Sequence, residues 1–157
     1  MSRRPITREG YNALMRELKF LKEKERPKII KEIAEARGHG DISENAEYEA
    51  AKDKQGILEA KIKDLEYRLS LAEIIDLSTL PRDRVVFGAK VRLLNLETDE
   101  EEIYQLVGPD ESDIGQKKIS VYSPLGQALL GKEAEDTVIV NAPKGQIEYE
   151  ILEIIFE

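Results

Sequence analysis

The sequence predicts an α+β protein: an antiparallel α-helical coiled-coil hairpin, then a small antiparallel sheet domain with one short helix. Three observations lead there. Apolar residues recur at alternating three- and four-residue steps between Tyr48 and Ala72. A glycine-broken stretch, Gly38-His39-Gly40, precedes that seam and separates it from an earlier helical pattern. After residue 83 the pattern changes to short apolar and β-branched runs bounded by turn residues. The expected organisation is a hairpin over 1–76, a linker over 77–83 and the sheet domain over 84–157.

The first helix begins behind Thr7, a suitable N-cap, with Gly10 close after it. Tyr11, Leu14, Leu18 and Leu21 form its seam, and Ile29 or Ile30, Ile33 and Ala36 resume it. Between the two runs stand Glu25 and Pro27. Proline has no N–H to donate and its ring crowds the preceding turn, so a kink or short break is expected near Arg26-Pro27. Gly38 and Gly40 are expected to end the helix, because glycine adopts the left-handed conformation cheaply. The return helix carries Tyr48, Ala51, Gln55, Leu58, Ile62, Leu65, Leu69 and Ala72, a coiled-coil seam sustained over more than three heptads. Two helices of roughly 30 residues make an arm about 45 Å long.

Ser78 to Asp83 read as a linker. Strands are expected over 89–96, 102–107, 118–122, 137–140 and 146–156, with Pro143-Lys144-Gly145 as a turn. A short helix over 124–130 follows Ser123, opens on Pro124 and stops at Gly131, the usual asymmetry of proline at the start and glycine past the end.

Charge divides the chain. Residues 1–76 hold 16 basic and 16 acidic side chains, whereas 77–157 hold 8 and 16, which accounts for the net −8. An acidic half binds free nucleic acid poorly, since phosphate neutralisation drives such binding. There is no cysteine, which excludes a disulfide framework and a thiolate zinc site. No apolar run reaches the length of a membrane span and no apolar signal core follows Met1, so a soluble cytoplasmic protein is expected.

The candidate site is the stretch from Gly38 to Asn45, which sets Asp41 and Glu44 at the far end of the hairpin. Asp-x-x-Glu is also a capping box, with Asp41 as N-cap and Glu44 three residues on, and Ser43 is a competing N-cap. Acidic side chains there suit the helix dipole. The other reading is a shared Mg²⁺ site. Mg²⁺ often takes only one or two protein carboxylates and completes its octahedron elsewhere. Two exposed carboxylates should hold it poorly alone and better beside another active site. The readings are compatible: a cap in the free protein, a ligand in a complex.

Residues 36–56, Ala-Arg-Gly-His-Gly-Asp-Ile-Ser-Glu-Asn-Ala-Glu-Tyr-Glu-Ala-Ala-Lys-Asp-Lys-Gln-Gly, resemble the tip motif of the bacterial Gre transcript-cleavage factors. Arg26-Pro27, Val86-Phe87-Gly88-Ala89 and the segment from Ser123 to Lys132 extend the resemblance over essentially the whole chain. It implies an FKBP-like sheet domain that docks on RNA polymerase, with Ser123 and Pro124 on the docking surface. It implies an arm that enters the polymerase secondary channel. Asp41 and Glu44 would there help position a catalytic Mg²⁺ and the attacking water, so that the polymerase hydrolyses backtracked RNA. The protein would be no enzyme alone, would bind no Mg²⁺ tightly when free, and would act as a monomer.

Arg37 and Lys52 flank the tip from opposite helices. They read either as solvated helix charge or, through the resemblance, as a small basic patch touching the nascent RNA 3′ end. Gly56 and Ala60 add no charge further up, which resembles the A-type branch of the family more than the B-type. Gly40, Asn45 and Tyr48 are expected to support the tip, and His39 is read as a turn residue, since no second His or Cys accompanies it. Two alternatives stand beside this reading. One is a related inhibitor entering the same channel. The other is a prolyl isomerase or chaperone, against which the few aromatics of the second half (Phe87, Tyr104, Tyr122, Tyr149 and Phe156) argue.

Overall fold

The computed structural model describes residues 3–38 and 42–156, and the backbone alone for Ile42 to Asn45. The chain divides into two compact units, one of residues 11–71 and one of residues 1–10 with 72–157.

The first unit is the helical arm. Helix α1 (Arg8–Phe20) runs into a π-helical turn, Leu21–Glu25, and continues as α2 (Arg26–Arg37); α3 (Ile42–Leu71) returns antiparallel. The break expected at proline takes this π form. Pro27 cannot donate to the Glu23 carbonyl, and the chain widens just before it: Arg26 N–H donates to the Leu21 carbonyl, five residues back. The wider turn holds one residue more than the seam pattern would have there. The inward positions step through Tyr11, Leu14, Leu18, Leu21 and Glu25, then Ile29, Ile33 and Ala36. Ile29, and not Ile30, is the buried isoleucine; Ile30 is 52% exposed.

On α3 the expected seam holds from Tyr48 to Leu69, but the helix ends at Leu71 and Ala72, expected as its last member, starts a strand instead. Ala51, Leu58, Ile62 and Leu65 are buried, and Tyr48, Gln55 and Leu69 are half-buried. Ile29, Leu58 and Ile62 form the arm's core cluster, with Leu18, Leu21 and Ile33 against it. Ion pairs span the two strands of the arm: Lys22 to Glu66 at 2.8 Å, Arg26 to Glu59 at 2.8 and 2.9 Å, and Lys54 to Glu32 at 3.4 Å. Gly38 caps α2 in the right-handed region, with φ −70°, and not in the left-handed conformation expected of it.

The second unit is a five-stranded sheet with one helix. Its strands are β3 (Lys90–Asn95), β4 (Glu101–Val107), β5 (Lys118–Ser120), β6 (Thr137–Ala142) and β7 (Gly145–Ile155), in the order β5-β4-β3-β7-β6. The sheet is mixed: β4 and β5 pair in parallel and the other neighbours antiparallel. Helix α4 (Pro124–Leu129) covers one face, and Val91, Leu93, Leu106, Leu129 and Ile151 are fully enclosed between them. Pro143-Lys144 turns β6 into β7, with Gly145 at φ 124°. The stretch expected as a linker contains a 3-10 turn, Leu77–Thr79, held by Asp76, whose carboxylate accepts from the Ser78 N–H and hydroxyl. Those bonds hold the Asp76 carboxyl below its usual range.

This unit also contains a pairing that the sequence reading did not include. Strand β1 (Arg4–Ile6) pairs in parallel with β2 (Ala72–Ile74). The loop after β4 grips it. Arg4 Nε lies 2.8 Å from buried Asp110, and Glu111 accepts from the Thr7 N–H at 2.7 Å, the Thr7 hydroxyl and the Gly108 N–H at 3.1 Å. A Cβ at Gly108 would overlap the Pro5 carbonyl, so this close approach requires glycine. Thr7 accepts from Gly10 N–H at 3.0 Å and caps α1 as expected.

Candidate functional site

The distal end of the arm is built where small side chains let two helices approach. Ala36 and Ala51 are buried on the seam, and with Ala50 they line a groove bordered by Glu32, Glu35, Glu47 and Lys54. Arg37 is the last residue of α2. Its guanidinium carbon lies 5.5 Å from the centre of the Tyr48 ring, and its Nη2 reaches the Tyr48 hydroxyl at 3.5 Å. That distance is long for a hydrogen bond, so the ring contact is the better-defined interaction. Lys52, one turn along α3, donates to Gln55 Oε1 at 3.0 Å.

Helix α3 begins at Ile42, so Asp41 immediately precedes it in sequence and Glu44 is its third residue. A carboxylate at that third position lies within the first turn, where free N–H groups and the helix dipole favour negative charge. His39, Gly40 and Asp41 lie outside the described residues, as do the side chains of Ser43, Glu44 and Asn45. Tyr48 is placed as expected, half-buried on the seam next to Arg37.

In the sheet unit, Ser123 caps α4. Its Oγ accepts from Gly126 N–H at 3.1 Å and donates to the Ser120 carbonyl at 2.7 Å. A Cβ on Gly126 would overlap that same carbonyl, so the glycine lets α4 sit close against the preceding strand. Pro124 is exposed, and Tyr122 and Leu130 beside it are 56% and 45% exposed. The apolar character of Tyr122 and Leu130 was visible in the sequence, but only the fold shows that they do not turn inward. Of the other aromatics, Phe87, Tyr104 and Tyr149 pack on the core, and Phe87 and Phe156 line a shallow pocket. The Arg82 guanidinium covers the Phe156 ring at 5.4 Å and donates to its carbonyl at 2.9 Å.

Electrostatics follow the hydrogen bonds. Glu59 is held below the usual carboxylate range by the Arg26 guanidinium, and Arg26 is raised in turn. Glu102 is lowered by the Tyr104 hydroxyl and by Lys117, while burial and the Glu102 carboxylate raise Tyr104.

Residues 4–74 match the family described as transcription elongation factor, N-terminal, and residues 80–156 the family described as transcription elongation factor, GreA/GreB, C-terminal. The chain belongs to the GreA/GreB family of transcription elongation factors. It is 52% identical over 153 residues to the transcription elongation factor GreA of Trichlorobacter lovleyi, covering 98% of this chain and 97% of that one. It is 52% identical over 157 residues to the GreA of Beijerinckia indica subsp. indica, covering the whole of both chains. Among solved structures, the GreA factor homolog 1 (Gfh1) protein of Thermus thermophilus is 30% identical, with a TM-score of 0.46 over 98% of this chain and 99% of that one. The family assignment covers both units, so the helical arm and the mixed sheet are the two parts of a GreA-type elongation factor. Among the described residues, no helix is long and apolar enough to cross a membrane.

Proposed function

We propose that this elongation factor works on bacterial RNA polymerase in the cytoplasm, entering its secondary channel with the arm and stimulating Mg²⁺-dependent cleavage of backtracked nascent RNA. The observation that carries the reading is the arm itself, in a member of this family in which Asp41 falls in sequence between α2 and α3 and Glu44 is the third residue of α3. Such an arm is a narrow rod, and its core cluster is three buried residues with three others against them. A rod of that kind suits a probe for an enclosed site.

The donor set fits Mg²⁺ held jointly. The ion prefers anionic oxygen and near-octahedral geometry, and two carboxylates supply part of that shell. Among the described residues, no group of three His, Cys, Asp or Glu is placed to hold a metal. Asp41 and Glu44 would complete a site whose other ligands come from the polymerase, and the ion would supply charge neutralisation at the phosphate and a more acidic water. The carboxylates would orient that water toward the scissile phosphate. The chain would be an accessory to the polymerase's own hydrolysis. Ser123 and Pro124, with the exposed Tyr122 and Leu130 beside them, would form part of the docking surface. Arg37 and Lys52 would meet the phosphates of the displaced RNA 3′ segment.

The test is cleavage by a stalled, backtracked polymerase at graded Mg²⁺. Asp41→Asn keeps capping ability, because asparagine caps as well as aspartate, but removes ligand charge. We expect Asp41→Asn to lower the cleavage rate strongly and Glu44→Gln less, with polymerase binding and melting temperature near wild type. Added Mg²⁺ should partly restore the weaker variant. Wild-type cleavage by Asp41→Asn at limiting Mg²⁺ would leave capping as the sole role of that residue.

A further inference from the structure

Five cations of the arm are held in one of two ways. Lys22, Arg26 and Lys54 each reach across to a carboxylate on the opposite helix: Glu66, Glu59 and Glu32. Those pairs fix the side chain and cancel its charge together. Arg37 and Lys52 are held by neutral partners. Arg37 stacks on the Tyr48 ring at 5.5 Å, and Lys52 donates to the amide oxygen of Gln55 at 3.0 Å. Among the described residues, neither has a carboxylate partner.

We infer that Tyr48 and Gln55 are positioning residues, which hold Arg37 and Lys52 through neutral contacts and so bring no negative charge of their own to compete with a phosphate backbone. This rests on the reading that Arg37 and Lys52 meet the RNA 3′ segment.

The physical argument has three parts. A long cationic side chain loses rotamer freedom when it binds, and holding it beforehand removes that cost from the binding step. A carboxylate would hold it as well but would compete with the phosphate for the same donors. An aromatic face or an amide oxygen holds it without a net negative charge, and the guanidinium edge keeps donors free for an anion. Both partners are also anchored. Tyr48 and Gln55 sit half-buried on the seam of α3, so packing fixes their own rotamers, whereas Arg37 and Lys52 are exposed. A seam position is normally apolar, and Gln55 departs from that pattern at the place where it can reach Lys52.

The test uses the full chain bound to a backtracked polymerase whose RNA carries a photoreactive 3′ nucleotide. Crosslinking to the arm is read at several salt concentrations, alongside cleavage, polymerase binding and melting temperature. Gln55→Glu matches the shape of glutamine but adds the missing charge. It should lower crosslinking roughly two- to fivefold, as Lys52→Ala does, which is what one exposed charge contact is worth. It should also reduce the salt slope by about 1. Gln55→Met keeps the volume and adds no charge but removes the hold on Lys52, so it should lose part of what Gln55→Glu loses. Tyr48→Phe keeps the ring and should behave as wild type. Tyr48→Leu should lose as much crosslinking as Arg37→Ala, and should lose nothing further when combined with it. The inference is overturned if Gln55→Met loses as much as Gln55→Glu, or if Tyr48→Leu adds its full effect to Arg37→Ala. It also fails alone if Arg37→Ala and Lys52→Ala lose crosslinking while Gln55→Glu and Tyr48→Leu do not. If Arg37→Ala and Lys52→Ala crosslink like wild type, the RNA reading falls and the positioning roles fall with it.

Discussion

The arm and the sheet unit solve the problem of burial in opposite ways. In the sheet unit, residues from five strands and a helix enclose side chains completely; Leu93, Leu106, Leu129 and Ile151 are at 0% exposure. In the arm the apolar contact is a stripe one residue wide on each helix, and its best-buried member, Ile62, is at 2%. A stripe leaves most of every helix in water. Met15, Phe20, Ile30, Ile57 and Tyr67 are all more than 40% exposed there. The arm is therefore held by a few contacts repeated along its length, and its outer faces are free to change without unfolding it. The sheet unit concentrates its burial in one enclosed core.

The largest test of that contrast compares two leucines. Leu93→Ala should cost about 4 to 5 kcal/mol, because no neighbour can move into the space. Leu65→Ala, 7% exposed on the arm seam, should cost about 2 to 3 kcal/mol, since two helices can close partway over the gap. Hydrogen exchange measured separately over the two units checks both, with Lys63→Ala on the exposed arm surface as a control expected to stay within about 0.5 kcal/mol. Equal losses for the two leucines would remove the distinction.

Gly108→Ala comes next. The new methyl overlaps the Pro5 carbonyl and should push β1 away from its loop, at about 1 to 3 kcal/mol. Exchange protection should fall across residues 4–6 and 72–74 and stay unchanged along the arm seam. Gly56→Ala runs the other way. No atom lies within 4 Å of the added methyl, and glycine within a helix is disfavoured by about 1 kcal/mol against alanine. The arm should gain roughly 0.5 to 1 kcal/mol, read as stronger protection of α3.

The smallest effect is one of pH. Glu59 titrates below its ordinary 4.5 in the folded arm because Arg26 hydrogen-bonds it. A lowered carboxylate contributes stability that is present above its unfolded pKa and is lost as pH falls through the folded value. Arm protection should therefore fall on acidification from about pH 5 downward, less so in Glu59→Gln, and the difference should shrink in high salt.

Most of the fold was legible because it follows local rules. The seam of α3 is a period, the cap of α4 is Ser-Pro with a later glycine at φ 84°, and the five strands of the sheet fall in short apolar or β-branched runs between turns. The missed features depend on distant partners. Three residues at Arg4–Ile6 carry no strand signal, and only pairing with Ala72–Ile74 and the grip of Asp110 and Glu111 makes them one. The parallel placing of β5 beside β4 is likewise a matter of chain path, which no local pattern records. At the tip, the acidic pair was legible as a motif. The neutral partners of Arg37 and Lys52 were not, because Tyr48 and Gln55 look like ordinary seam residues until the neighbouring cations are seen on them.

The single extra residue in the Leu21–Glu25 turn sets the aim of the arm's far end. Each residue of an α-helix turns the chain by about 100°. Without that insertion the alternating steps from Tyr11 would bring Lys28, Glu32 and Glu35 to the inner line, in place of Ile29, Ile33 and Ala36. Arg37 would then leave α2 on a different azimuth and lose its seat over Tyr48. A local defect in the shaft, roughly 20 Å of helix before the tip, thus works as a phase adjuster, and deleting one residue there would re-point every side chain beyond it without touching any of them.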